Sequence, residues 1–255
     1  MKQSAYKCYM LCVLCGFLSL VYCVPAQADT HAQLFLDGIK QYEAREYGKA
    51  AELFEKLAAG GIHNGKLYYN LANAYLKQGK LGPARLWYER ARRLIPGDPD
   101  LSFNMKYARS LLKDEPATLN SPVFQVIFFW KDMLPAVSWQ WVGIVTGTIF
   151  WSLLACAYYT KKRGFRPFIY GFLCVALLSS GTAVYLSNAS AIHPRAVVLE
   201  KVISVRSGFS SETTELFELH EGTLVAVEKQ KNGYLKIRYA KDKIGWVSNT
   251  MAEII

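Results

Sequence analysis

The sequence predicts a multidomain membrane protein with three architectures in series: an all-α superhelix of paired helices, a two-helix transmembrane hairpin and a small all-β barrel. Small and large apolar residues recur at a 34-residue period in the N-terminal part, and two uncharged runs occupy the middle. Short alternating segments separated by turn residues fill the C-terminal part.

The chain has 255 residues and a formal charge of +10, which by itself would suggest nucleic-acid binding. Its distribution removes that reading. Residues 1–28 carry +2 and residues 161–166 carry +4, against +3 over 29–120 and +1 over 189–255. Most of the surplus therefore sits where export and membrane orientation are encoded.

Lys2 and Lys7 precede a mostly apolar run over 9–24, and Ala26-Gln27-Ala28 fits a signal-peptidase site before Asp29. Residues 1–28 read as a secretory signal. An uncleaved anchor is the alternative, disfavoured because the run falls short of the roughly 20 apolar residues that a span needs. Cys8, Cys12, Cys15 and Cys23 lie in this signal, and Cys156 and Cys174 lie in apolar runs. The soluble parts thus offer no disulfide framework, thiolate metal site or cysteine nucleophile.

Residues 29–115 form the helical domain, with repeats over 31–64 and 65–98. Ala50 and Phe54 recur as Ala84 and Tyr88, and Leu34 recurs as Tyr68. A small residue lets two helices cross closely, and a large one a turn later fills the space beside the crossing. Together with Leu71, Ala72, Tyr75, Ala91 and Pro96, this pattern resembles the tetratricopeptide-repeat consensus, from which the first unit departs at Asp37 and Ile62. Tyr69 and Asn70 recur once more as Phe103 and Asn104, so a helix over 99–113 is expected to cap the stack in place of a full third repeat.

The resemblance implies a groove lined by the first helix of each pair. Asn70 and Asn104 are expected to hold a ligand's backbone there, with Phe35, Tyr69, Asn73, Lys77, Phe103 and Tyr107 contributing selectivity. The alternative is that the asparagines satisfy groups inside the stack and the aromatics are core, which spacing alone does not separate. Residues 60–66 imitate a phosphate-binding loop, but Leu67 stands where the magnesium-binding hydroxyl belongs and the context is helical, so these glycines are read as a helix end and turn.

Residues 116–138 are a linker whose apolar stretch, 123–130, suits an interfacial helix or a helix packed on the repeats. Residues 139–159 carry no charge and would extend about 31 Å as a helix, the thickness of a bilayer core. A second uncharged run covers 167–187, and the basic loop 160–166 between them is expected to stay cytoplasmic. Signal and loop agree on one topology in the inner membrane, with repeats and C-terminal domain both on the periplasmic side. Neither run contains an ionisable residue other than cysteine or tyrosine, which argues against a transporter. Gly143, Gly147, Gly171 and Gly181 are candidates for close helix packing.

Residues 194–255 carry strand patterns over 196–199, 203–205, 223–227, 234–239 and 244–247. Val202 to Gly208, Glu221 to Val225, Gly233 to Ile237 and Gly245-Trp246-Val247 resemble the bacterial SH3-like domain, with Phe209 and Tyr234 departing from that family's usual residues. The resemblance implies binding of cell-wall peptide or proline-rich segments, for which Phe209, Tyr234, Tyr239 and Trp246 are candidates. Trp246 is the residue for which a core role is favoured, since so small a barrel must bury its largest side chains.

Taken whole, this order of parts resembles the E component of the Bacteroides aerotolerance (Bat) family. That resemblance implies an envelope complex with von Willebrand factor A-domain Bat proteins and a MoxR-type ATPase. A scaffold or adaptor is the expected function, with a peptidoglycan-binding anchor as the alternative. His31, His63, His193 and His220 lack zinc-ligand spacing and no nucleophile elbow occurs, so neither catalysis, a metal nor a cofactor is expected.

Overall fold

The computed structural model describes residues 28–114, 128–161, 163–209, 213–240 and 242–255. All but the last residue of the expected signal at 1–28 and most of the expected interfacial segment lie outside these residues. Helices α1 (Ala28–Glu43), α2 (Tyr47–Ala59), α3 (Gly65–Lys77) and α4 (Leu81–Leu94) form two antiparallel pairs, and α5 (Pro99–Ser110) stacks on the second. Helix α5 ends earlier than the pattern over 99–113 suggested.

Local chemistry sets the starts of α3 and α5. The Asn64 side chain accepts from the Lys66 and Leu67 amides at 2.8 and 3.2 Å, and Asp98 accepts from the Leu101 amide at 3.0 Å with Pro99 following. These side chains satisfy amides that have no partner within the helix. Between the helices, Ala50, Phe54, Ala84 and Tyr88 are fully buried with Leu71 and Ala72. The residues that announced the repeat are therefore the ones that close its core.

A short 3-10 turn (Phe129–Asp132) leads into α6 (Ala136–Thr160), and a second turn (Arg163–Phe165) into α7 (Arg166–Ile192). Both long helices are long and apolar enough to cross a membrane, and they pack against each other as a hairpin. Of the four glycines expected at their contact, only Gly143 is close-packed: a Cβ there would lie 2.8 Å from Ser180 Oγ. A Cβ on Gly147, Gly171 or Gly181 would meet nothing within 4 Å. Trp130 reaches this hairpin through its indole N–H, which donates to Thr182 Oγ1 at 3.3 Å.

The C-terminal region is an antiparallel sheet: β1 (Arg195–Val198), β2 (Val202–Arg206), β3 (Glu215–His220), β4 (Leu224–Lys231), β5 (Tyr234–Ala240), β6 (Lys243–Ser248) and β7 (Ala252–Ile254). Its order is β3-β2-β6-β5-β4-β1-β7. The ladder does not close, because β3 and β7 are left as edges and β2 meets β6 through a single residue pair, Arg206 with Trp246. Strands β3 and β7 were absent from the pattern read in the sequence. In β3 only Leu219 is buried, so it lacks the alternation that marks a strand. The β4–β5 hairpin turns at Asn232-Gly233, both with positive φ (50 and 78°), as a two-residue turn matched to strand twist requires.

The helical stack and the sheet are packed together. Leu86 of α4 joins Val197, Leu224, Leu199 and Ile255 in a separate apolar cluster. Gly82 lies where a Cβ would sit 2.8 Å from the carbonyl oxygens of both Val198 and Leu199, so only a glycine admits β1 at this distance. Polar contacts frame the cluster. Arg90 pairs with Glu253 at 2.6 Å, and Asp114 accepts from the His220 amide, His220 Nδ1 and Thr223 Oγ1 at 2.7, 2.9 and 3.2 Å. Lys113 Nζ lies 2.8 Å from His220 Nε2.

Candidate functional site: two exposed aromatic surfaces

The first surface lies on α1, α3 and α5, the leading helices of the stack, and the structure divides its expected residues. Asn104 Nδ2 donates to Tyr69 Oη at 2.8 Å and to Asn73 Oδ1 at 3.0 Å, while Tyr88 Oη donates to the same Asn73 oxygen. This network ties three helices together and engages the amide nitrogen of Asn104 and the amide oxygen of Asn73 within the stack. Asn104 thus makes contacts inside the stack through its amide nitrogen. Burial pushes the Tyr88 hydroxyl pKa well above its ordinary value, so it remains a donor across the working pH range. Phe35 is likewise inward, its ring 5.7 Å from that of Phe54.

Asn70, Lys77, Phe103 and Tyr107 have no such role. Asn70 is half-buried and forms no hydrogen bond with a described residue, and Lys77 is exposed. Phe103 and Tyr107 are 73% and 54% exposed, an unusual state for two aromatics one turn apart on a helix that buries Leu101, Met105 and Ala108. Leu36 of α1 is also 51% exposed. Sequence reasoning missed it, although the period placed it at the position of Asn70 and Asn104 one and two repeats earlier.

The second surface is on the outer face of the sheet. Leu235 and Ile237 of β5 and Val247 of β6 point into the core, which sends Tyr234 and Trp246 to the other side. The register pairs Lys236 with Trp246 and Tyr234 with Ser248, so the two aromatics are diagonal neighbours. Phe209, 46% exposed, packs edge-on to Trp246 with ring centroids 5.6 Å apart. Lys231 Nζ stands 5.2 Å from the Phe209 ring. Trp246 is thus half-buried on the outside, not in the core, because the core is filled by Val198, Val205, Val225, Leu235 and Ile237. Tyr239 does not join this group: it packs against the core rim, with Lys243 Nζ 5.7 Å from its ring.

On α4 lies a buried ion network that sequence reasoning did not foresee. Arg85 and Glu89, each 2% exposed, approach to 2.8 Å, and Arg92 donates to the other Glu89 oxygen at 2.7 Å. Burial raises the Glu89 pKa, but Arg92, Arg85 and Arg195 outweigh it and hold the carboxyl below its ordinary value. For Arg85, burial weakens the charged form, with Arg109 and Arg92 adding to that effect and Glu89 opposing it. An i, i+4 pair of opposite charge on a helix normally indicates a solvated face, so only the tertiary packing around α4 reveals that it is buried.

A tetratricopeptide-repeat family model matches residues 41–102. No curated protein matches the chain. The matched stretch runs from the end of α1 through α2, α3 and α4 into α5, and repeats of this kind act in protein–protein interaction.

Proposed function

We propose that this protein is a membrane-anchored scaffold or adaptor that captures protein partners in the groove of its tetratricopeptide repeats. In this reading α6 and α7 form the membrane anchor. The repeats and an SH3-like module formed by the sheet face the periplasmic side of the inner membrane. The observation that carries it is the asymmetry of the stack. The back of α4 is covered by the sheet through Leu86 and Gly82, while Phe103, Tyr107 and Leu36 on the leading helices remain exposed. Exposed aromatics beside unspent polar groups are the usual makings of a binding surface. The resemblance to the Bat family supports von Willebrand factor A-domain proteins and a MoxR-type ATPase as partners.

Crosslinking in membranes, followed by affinity capture and mass spectrometry, tests this reading with full-length protein carrying F103A and Y107A. Loss of membrane-protein partners supports it; an unchanged partner set refutes it. The second reading, a peptidoglycan-binding anchor, is favoured by the Phe209–Trp246 pair. It replaces the first if wall fragments are recovered with the protein and depend on those two residues, while no protein partner depends on the groove.

A further inference from the structure

We propose that the flank of α5 opposite the groove is a second docking site, built to receive an acidic amphipathic helix from a partner protein. The repeats pair α1 with α2 and α3 with α4, whereas α5 is a leading helix and the chain beyond it turns aside. Asp114, four residues past its end, is held by His220 and Thr223 of the sheet. The place beside α5 and α4 where a following helix would stand is a cavity of about 570 Å³ lined by Arg92, Ser102, Met105, Lys106, Arg109 and Ser110. Ser102, Met105, Lys106 and Arg109 follow i, i+3, i+4, i+7 spacing and form one stripe along α5. Phe103 and Tyr107 are offset from that stripe, so this site is separate from the groove and shares with the proposed function only the class of ligand, a protein segment.

Charge selects the occupant. No carboxylate lines the cavity among the described residues; Glu89, buried behind Arg92 and Arg109, is already engaged by Arg85 and Arg92 and lies 3.9 Å from Arg109. Arg195 and Arg93 add further positive charge next to Glu89. Lys106 has no carboxylate partner among the described residues. An uncharged helix laid here would desolvate Lys106 and Arg109 without compensation, whereas Asp or Glu on the facing turns would pair with them. The stripe from Ser102 to Ser110 is about 12 Å long at the helical rise, so two to three turns suffice, with an apolar residue over Met105. The chain's own segment 115–127 contains one carboxylate, Glu115, and lacks the charge for this role.

The test uses full-length protein in nanodiscs of zwitterionic phosphatidylcholine. The probe is a fluorescent synthetic helix of about three turns with glutamates on one face and leucines on the other. A peptide with lysine at each glutamate position is the control. The acidic peptide is expected to bind, more weakly as salt rises, and K106E/R109Q is expected to weaken it at least tenfold. F103A/Y107A should leave its affinity unchanged, which separates this site from the groove. Glutamine replaces Arg109 so that no carboxylate is placed beside buried Glu89. If the pair of substitutions perturbs the circular dichroism, K106Q alone should weaken binding severalfold. The proposal is overturned if the acidic peptide does not bind or if both peptides bind equally. It is also overturned if the variants change only retention on phosphatidylglycerol vesicles or only self-association in mass photometry.

Discussion

The Glu221 carboxylate accepts the backbone amide of Gly82 at 3.3 Å, and that of Leu81 at 3.1 Å, across more than half the length of the chain. Helix α4 has no cap of its own, since Lys80 makes no side-chain capping bond. A negative group at a helix N-terminus satisfies free amides and meets the positive end of the helix dipole. The turn after β3 therefore completes a helix that the repeat sequence leaves unfinished.

Glu221→Ala should lower stability by about 1 kcal/mol, the typical worth of a lost cap. Hydrogen exchange should locate the effect at the Leu81 and Gly82 amides and in β1. Unchanged protection there would mean that the contact contributes nothing in solution.

Gly82→Ala introduces a Cβ 2.8 Å from two carbonyl oxygens of backbone, which has no rotamer with which to yield. A destabilisation of about 1–3 kcal/mol is expected, with faster exchange in both α4 and β1. Chemical denaturation measures the first effect and exchange mass spectrometry the second.

Arg85→Ala alone should cost about 3–5 kcal/mol, because it strands a buried carboxylate with fewer partners. Replacing Arg85 and Glu89 together by methionine should cost far less, since both desolvation penalties vanish with the charges. Denaturant midpoints of the two variants decide between this account and one in which the pair is a net source of stability.

Acid should loosen the interface through Asp114. Burial opposes its ionised form, but the His220 side chain and amide and the Thr223 hydroxyl outweigh that and hold its pKa below the ordinary 3.8. Glu89 is depressed likewise from 4.5. For depressed carboxyls the stabilisation is fully present above the unfolded value and is lost as pH falls through the folded one. Stability should thus be flat near neutrality in this respect and fall below about pH 4, with a shallower fall in Asp114→Asn. Denaturation curves taken between about pH 2.5 and 6, a range that spans the carboxylate values, provide the check.

Asn104→Ala should destabilise the stack by about 1 kcal/mol, because it breaks bonds to Tyr69 and Asn73. Asn70→Ala should leave stability within about 0.5 kcal/mol and act, if anywhere, on partner binding. Thermal melts and the crosslinking assay separate these outcomes. The two asparagines share a repeat position, yet they do different work.

The sequence by itself determined the elements that rest on local repetition. The 34-residue period fixed which small and large residues meet in the helical core, and uncharged length marked α6 and α7. Each of these signals is carried by residues near one another along the chain. Only the tertiary structure decided that the sheet packs on the back of α4, that Glu221 caps that helix and that Arg85 and Glu89 are buried. It also decided that the Asn104 amide nitrogen bonds within the stack and that Trp246 lies on the outer face of an open sheet. These outcomes depend on which surfaces come within a few ångströms after folding; for the sheet against α4 and for the Glu221 cap the segments lie more than 100 residues apart, and no periodicity in the sequence corresponds to that contact.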